Sequence, residues 1–151
     1  MKFKTLGIIA VASLAALSLA ACGAAPGGNS AASKGTEIGK TFKLGYDLEL
    51  SGGVAAYGNA GKNGANLAVD EINKAGGING KQITVISKDN KSDNAEAATV
   101  VSNLINNDKV NAVIGSMTSG AVKSMTPNVT KGAVPLVTPA GTDDTLTVTN
   151  G

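Results

Sequence analysis

Histidine, tryptophan and arginine are absent from this chain of 151 residues, and cysteine occurs once. Without histidine, the usual zinc sites and Ser-His-Asp triads are excluded, and a lone cysteine cannot close an internal disulfide. All thirteen basic residues are lysine, and no basic stripe with interleaved aromatic residues exists, which argues against nucleic-acid binding. We therefore expect a protein that is not an enzyme and that needs no metal and no cofactor.

The first residues have the pattern of an export signal. Lys2 and Lys4 precede an apolar stretch over residues 6–21, which is shorter than the roughly 20 residues of a membrane-spanning helix. It ends in Leu19-Ala20-Ala21-Cys22, which resembles the bacterial lipobox. The resemblance implies that residues 1–21 are a lipoprotein signal peptide and that Cys22 carries the lipid. The alternative is an ordinary secretory leader followed by a chance cysteine.

Residues 22–40 are rich in glycine, alanine and serine and show no apolar period. This composition predicts a flexible tether between a membrane anchor and a folded domain, although part of it could pack on the domain. Two of the thirteen lysines precede residue 22, so the eleven that remain balance eleven acidic residues. We expect an exported, lipid-anchored protein outside the cytoplasm, and the tether favours a Gram-positive surface over a periplasm.

From residue 41 onward, strand and helix patterns alternate. Predicted strands cover Phe42–Leu48, Gln82–Lys88, Val110–Ile114 and Val134–Thr138. Predicted helices cover Ala60–Ala75, Asp93–Asn107 and a segment ending near Lys131. This order predicts a Rossmann-like α/β fold with a mostly parallel sheet and helices on both faces. In the first helix, one face carries, by spacing, Gly64, Leu67, Ala68, Glu71 and Ile72. The small Gly64 and Ala68 would allow close packing on the sheet, and Glu71 would lie at the margin of this face.

Three polar loops follow predicted strands, at residues 51–58, 115–120 and 139–142. In open α/β sheets, ligands bind beyond the carboxyl ends of the strands, where these loops converge. The sequence therefore predicts a small-molecule site at this edge of the sheet.

Four segments in order resemble hallmarks of the type I periplasmic binding fold, in its branch of branched-chain amino-acid and amide ABC importers. They are SGGVAAYG at 51–58, NGA through DEINKAGGING at 63–80, VIGS at 113–116 and VPLVTPAGT at 134–142. The resemblance covers residues 41–146. It implies that residues 41–151 form the incomplete first lobe of a two-lobe protein that clamps its ligand between the lobes. A true single-lobe protein is the alternative.

The resemblance also implies ligand-binding residues: Tyr57, Thr118, Ser119, Ala140, Gly141 and Thr142. In amino-acid-binding members, the Ser119 position gives a hydroxyl and a backbone N–H to the ligand carboxylate. The loop at 140–142 gives a carbonyl, a hydroxyl and an N–H, and the Tyr57 position lies over the ligand. Gly141 stands where alanine is common and is expected to open space. The competing interpretations are a helix N-cap for Ser119, a turn threonine for Thr142 and an exposed tyrosine for Tyr57.

The function implied by the resemblance is that of a solute-binding lipoprotein. It would capture an amino acid, of the branched-chain type first, and deliver it to an ABC permease in the membrane. Its expected partners are the small-molecule ligand, the permease and the membrane that holds its lipid. The alternative is the ligand-sensing extracellular domain of a receptor with the same fold. Other amino acids, short amides and urea stay open as ligands, because selectivity lies largely in the second lobe.

Overall fold

A computed structural model describes residues 36–147. The predicted signal peptide at 1–21, Cys22 and the tether up to residue 35 lie outside the described residues, as do residues 148–151. Within the described range, no helix combines the length and the apolar character that crossing a membrane requires.

The described residues form one parallel sheet of four strands, in the order β2-β1-β3-β4. Strands and helices alternate along the chain, as the sequence predicts. The elements are β1 Phe42–Leu48, α1 Ala55–Lys74, β2 Ile83–Asp89, α2 Asn94–Asn106, β3 Ala112–Gly115, α3 Ser119–Gly132, β4 Leu136–Val137 and a 3-10 helix Asp144–Thr147. The predicted α/β fold is therefore confirmed.

Strand β1 lies inside the sheet, and both of its faces are covered. Leu44, Tyr46 and Leu48 pack in one apolar cluster with Val69 of α1. On the opposite face, a side chain at Gly45 would contact Leu104 of α2 at 3.1 Å. Alternate residues of a strand point to opposite faces, so α1 covers one face and α2 with α3 covers the other.

Helix α2 buries one apolar stripe at helical spacing, which is Ala97, Val100, Val101, Leu104 and Ile105. Its N-cap is Asp93, whose carboxylate accepts a hydrogen bond from the Glu96 N–H at 2.8 Å. The carboxylate of Glu96 binds Lys91 at 3.2 Å. Asp93 and Glu96 have the spacing of a capping box, in which the residue three positions after the N-cap binds back to the N-cap N–H. Only the N-cap half is present, because the Glu96 side chain binds Lys91.

Helix α1 begins at Ala55, five residues before the predicted start at Ala60. The glycines of this segment indicate a loop in the sequence, but Gly58 has another role. A Cβ at Gly58 would lie 1.9 Å from the carbonyl oxygen of Glu49. Glycine here permits a close approach of two backbones, and it does so within the first turn of a helix.

The predicted buried face of α1 is wrong. Gly58 and Val69 are the buried residues of this helix, and Ala65 packs against the sheet. Leu67 is 62% exposed and Ile72 is 40% exposed. The whole predicted set is on the solvent side, namely Gly64, Leu67, Ala68, Glu71 and Ile72. Apolar residues occur on both sides of this helix, so periodicity alone selects the wrong stripe.

The ends of the elements follow local chemistry. Gly76 and Gly77 have positive φ angles and donate backbone hydrogen bonds to Asn73 and Ile72, which is a Schellman ending for α1. Strand β4 covers two residues where the sequence predicts five. Pro135 has no N–H to add to the ladder and contributes its carbonyl, which accepts from Val113 at 2.9 Å.

The described end of the predicted tether packs on the domain. The side-chain amide of Asn111 donates to the carbonyls of Thr36 at 3.0 Å and Glu37 at 3.1 Å. The ammonium of Lys81 donates to the carbonyl of Ile38 at 3.0 Å. Residues 36–38 therefore pack on the domain, which is the alternative to a fully flexible tether.

Candidate ligand-binding site

The loops after β1, β3 and β4 meet at the carboxyl edge of the sheet. They form an open cavity of about 290 Å³, lined by Val54, Tyr57, Met117, Thr118, Ser119, Ala140 and Thr142. Five of the six residues that the resemblance implies thus lie around one cavity. Gly141 is not part of the lining. Val54 and Met117 line the cavity although sequence reasoning did not select them.

The N-terminus of α3 lies at this cavity. Thr118 is the N-cap residue, and its side chain makes no capping hydrogen bond. Ser119 is the first residue of the helix, so the N-cap interpretation of Ser119 is wrong. The first amide groups of a helix have no partner within the helix, and the helix dipole favours negative charge beside them. The uncapped end of α3 is therefore suited to a carboxylate.

The hydroxyl of Ser119 joins two loops. Its oxygen accepts hydrogen bonds from the backbone N–H groups of Thr142 and Asp143, both at 3.2 Å. A serine hydroxyl can accept two hydrogen bonds and donate one. Both acceptor positions are used by these two N–H groups, which leaves the hydroxyl only its proton to offer a further partner. The group that Ser119 can still bind in the cavity is therefore a hydrogen-bond acceptor.

Thr138 holds the loop after β4. Its hydroxyl donates to the Ser116 carbonyl at 2.8 Å and accepts from the Gly141 N–H at 3.0 Å. A Cβ at Gly141 would lie 2.7 Å from a methyl group of Leu146 and 2.9 Å from the Thr138 hydroxyl. The space that Gly141 was expected to open is therefore occupied, and the loop is held in place by Thr138.

Asp143 fastens the same loop to α3 through an ion pair with Lys123 at 2.5 Å. The hydrogen bonds from Lys123 and Thr145 lower the pKa of the Asp143 carboxyl to about 2. The structure shows a half-exposed residue with defined partners.

Tyr57 is in the first turn of α1 and forms one wall of the cavity. Its side chain is 65% exposed, so among residues 36–147 Tyr57 is an exposed tyrosine. A ring that lines a cavity and remains largely in solvent has apolar area left to bury against a ligand or a second surface.

A sequence profile described as "Periplasmic binding protein" matches residues 41–151, which is more than half of the chain. The chain belongs to the periplasmic binding protein family. This family consists of solute-binding proteins, which are not enzymes.

Curated relatives of this periplasmic binding protein have names that refer to branched-chain amino acids. A leucine-, isoleucine-, valine-, threonine- and alanine-binding protein of Pseudomonas aeruginosa is 33% identical over 107 residues, which are 71% of this chain and 28% of the relative. The Leu/Ile/Val-binding protein of Escherichia coli K12 is 30% identical over 110 residues, covering 73% of this chain and 30% of the relative.

Solved structures show the type I fold that the sequence motifs imply. The branched-chain amino acid transporter substrate binding protein LivJ of Streptococcus pneumoniae, in complex with isoleucine, superposes with a TM-score of 0.70 at 57% identity. That match covers 71% of this chain and 31% of LivJ. A leucine binding protein of Thermotoga maritima superposes with a TM-score of 0.66 at 28% identity, covering 72% of this chain and 30% of that protein. The chain thus spans about 30% of the length of its relatives.

Beneath the cavity, this periplasmic binding protein contains a buried polar layer that sequence reasoning missed. Its members are Asp47, Glu49, Asn90 and Ser116, each fully buried. Glu49 accepts three hydrogen bonds from the loop between β3 and α3. The amide of Asn90 donates to Asp47 at 2.9 Å and to Ser116 at 2.7 Å, and the Ser116 hydroxyl donates to the Asp47 carbonyl at 2.8 Å.

A signal for this layer exists in β1. Asp47 and Glu49 alternate with the apolar residues Leu44, Tyr46 and Leu48. In a parallel sheet with helices on both faces, both sides of an inner strand are buried. Two carboxylates on the second side of such a strand must find hydrogen-bond donors in the interior, which the polar layer provides.

Burial raises the pKa of the Asp47 carboxyl to about 7. The hydrogen bond from Asn90 opposes this rise, and the negative charges of Glu49 and Glu96 add to it. The second carboxylate oxygen of Asp47 has no hydrogen-bond partner among the described residues. A buried carboxyl group with one hydrogen bond is more stable protonated than charged.

Proposed function

We propose that this chain forms the first lobe of an exported binding protein that captures a branched-chain amino acid for an ABC importer. The observation that carries the proposal is the cavity at the uncapped N-terminus of α3, lined by Ser119 and Thr142. The chain spans about 30% of its relatives' length, so the rest of the ligand contacts belong, in this proposal, to a second lobe.

The polarity of the cavity matches the main-chain groups of an amino acid. The proton of the Ser119 hydroxyl and the first amides of α3 suit the carboxylate, because all of them donate hydrogen bonds. The carbonyl of Ala140 and the hydroxyl of Thr142 can accept from the ammonium group. Tyr57 would cover the ligand from the rim, burying the part of its ring that is exposed in the described residues.

The lining offers no charged side chain to a ligand side chain. Val54 and Met117 are apolar, and the remaining residues contribute hydroxyls, a ring and a methyl group. This composition suits an uncharged apolar ligand side chain. Isoleucine is the first probe, since the Streptococcus pneumoniae relative at 57% identity was solved with isoleucine.

The test is calorimetric titration of isoleucine into the polypeptide translated from the complete reading frame. Ser119→Ala and Thr142→Ala should each weaken binding by about 10- to 150-fold, the equivalent of a hydrogen bond to a charged group. Ser119→Ala should be toward the smaller end because its backbone N–H remains. It should also lower the melting temperature, since its hydroxyl accepts two backbone hydrogen bonds.

The matched control is Ser87→Ala, on the exposed part of β2 outside the cavity lining. It should leave affinity unchanged. If Ser119→Ala and Thr142→Ala lower the melting temperature but leave affinity within about twofold, their hydroxyls only brace the loops and the site assignment fails. Titration of leucine, valine, short amides and urea in the same protein determines the ligand class.

We further propose that Cys22 carries the lipid that anchors the mature protein to the membrane, with residues 1–21 removed as a signal peptide. The support is the lipobox-like Leu19-Ala20-Ala21-Cys22 after an apolar stretch. Two acyl chains would hold the protein stably, because each buried CH₂ contributes about 0.8 kcal/mol. Cell fractionation and intact mass of Cys22→Ser should show a protein without lipid that leaves the membrane fraction. A Cys22→Ser protein that keeps its lipid mass would contradict the assignment.

A further inference from the structure

Glu49 follows β1 directly and is fully buried. Its carboxylate accepts hydrogen bonds from the Met117 N–H at 3.0 Å, the Thr118 N–H at 3.1 Å and the Thr118 hydroxyl at 2.8 Å. All three donors belong to two consecutive residues of the loop between β3 and α3, and both residues line the cavity. Glu49 itself is not part of the lining.

This arrangement determines which donors remain for a ligand. Thr118 is the N-cap of α3, where a threonine hydroxyl ordinarily accepts from an amide of the first turn. Here the hydroxyl donates to Glu49, and α3 has no side-chain cap. The carboxylate therefore binds the two amides before the helix and withdraws the hydroxyl that would otherwise occupy the helix N-terminus.

Glu49 also contacts the opposite wall of the cavity through its backbone. A Cβ at Gly58 would lie 1.9 Å from the carbonyl oxygen of Glu49. Gly58 follows Tyr57, so the wall carrying Tyr57 and the wall carrying Thr118 both rest on the same residue. A change at Glu49 would therefore alter the spacing of two walls of the cavity.

We infer that Glu49 is a positioning residue, which holds the loop between β3 and α3 in the conformation that exposes the α3 N-terminus to the ligand. The inference rests on the proposed function for the identity of the ligand. Glu49 acts through Met117 and Thr118 and makes no contact with the ligand. A buried carboxylate requires this number of hydrogen bonds to be stable, so the loop and the carboxylate depend on each other.

The test uses Glu49→Gln, which preserves size. A carboxamide has one acceptor atom, so its NH₂ group must face either the Met117 N–H or the Thr118 N–H, donor against donor. We expect isoleucine affinity of the polypeptide from the complete reading frame to fall by about 10- to 100-fold. We also expect faster hydrogen exchange of the Met117 and Thr118 amides in the ligand-free protein. Glu71→Gln, on the exposed side of α1, is the control and should change neither.

Thr118 variants keep the inference testable if Glu49→Gln folds poorly. Thr118→Val removes the hydroxyl that donates to Glu49 and should weaken binding. The double variant Glu49→Gln/Thr118→Val should lose less than the product of the two single losses, because both remove the same contact.

The outcomes separate the two proposals. Affinity within about twofold of wild type in Glu49→Gln, together with a lower melting temperature, would make Glu49 a purely structural residue and overturn the inference. Unchanged exchange of the Met117 and Thr118 amides would overturn it as well. Wild-type protein that binds no amino acid, combined with faster exchange in Glu49→Gln, would refute the proposed ligand and support the role of Glu49 in holding the loop.

Discussion

Replacing Asp47 by asparagine should remove most of the dependence of stability on pH between about pH 4 and pH 8. Asp47 is fully buried, with one carboxylate oxygen bound by the Asn90 amide at 2.9 Å. The other oxygen has no partner within residues 36–147. Burial is the main cause that raises its pKa from 3.8 to about 7. The folded protein therefore retains a proton that the unfolded chain releases.

The sign and size follow from proton linkage. Since the folded pKa is higher than the unfolded one, the contribution is fully present below about pH 4 and is lost as pH rises to about 7. A difference from 3.8 to about 7 corresponds to about 4 kcal/mol of unfolding free energy, at 1.36 kcal/mol for each pH unit. Asparagine cannot ionise, so this loss should be absent in Asp47→Asn.

The chain contains no histidine, so no imidazole titrates in this pH window. The pKa of Asp143 is lowered to about 2 by Lys123 and Thr145, and hydrogen bonds also lower the pKa of Asp89. For these two groups the sign is opposite: their contribution is present above about pH 4 and is lost as pH falls through the folded pKa. They act in acid, below the range where Asp47 acts.

The assay is urea unfolding followed by circular dichroism at pH 4.5, 6, 7 and 8.5, with Asp70→Asn on the exposed side of α1 as control. Wild type and the control should lose up to about 4 kcal/mol across the series, and Asp47→Asn should stay nearly constant. A variant with the wild-type slope would show that Asp47 is ionised in the folded protein and would refute the reasoning.

Two further predictions concern α1. The side-chain amide of Asn73 accepts from the Ile83 N–H at 2.7 Å and donates to the Ile83 carbonyl at 2.9 Å. Asn73→Ala should therefore lower the free energy of unfolding in urea by about 2–3 kcal/mol. A decrease below about 0.5 kcal/mol would contradict this prediction. Gly58→Ala should destabilise by about 1–3 kcal/mol or more through its clash with the Glu49 carbonyl. Its control, Gly64→Ala, has open space and should stabilise α1 by up to about 1 kcal/mol; equal melting temperatures would refute the close-approach argument.

The sequence predicts the order of elements well because each strand is a short apolar run and each helix has its own ending. Asp93 begins α2, and Gly76 with Gly77 ends α1. These are local effects that depend on neighbouring residues only. The predicted start of α1 at Ala60 is five residues late because the role of Gly58 is not local. This glycine permits a close contact with the carbonyl of Glu49, nine residues earlier in the chain.

The buried face of α1 could not be predicted from its own sequence. Leu67 and Ile72 are larger than Ala65 and Val69, so hydrophobicity favours the wrong side. Tyr46 and Leu48 of β1 pack in one cluster with Val69 of α1, and Ala65 packs against it, so small residues of the helix face large side chains of the strand. The choice of face therefore depends on the volume of side chains in another element.

The place of the candidate site could be predicted, because parallel strands bring the loops after them to one edge of the sheet. The hydrogen bonds within the site could not. Sequence reasoning assigned Ser119 two alternative roles, and the structure shows its oxygen accepting from Thr142 and Asp143. That contact joins residues 23 and 24 positions apart, and only the packing of two loops creates it.

Asp47 and Glu49 show why residue type alone does not define a role. Both carboxylates are fully buried, two residues apart on the same side of the chain. The Glu49 carboxylate accepts three hydrogen bonds from the loop between β3 and α3, so the charged form of Glu49 and the conformation of that loop stabilise each other. Asp47 is bound by the Asn90 amide at one carboxylate oxygen, its other oxygen has no partner among the described residues, and burial favours its protonated form. The number of donors that each carboxylate meets thus makes Glu49 the residue that shapes the site and Asp47 the residue that makes stability depend on pH.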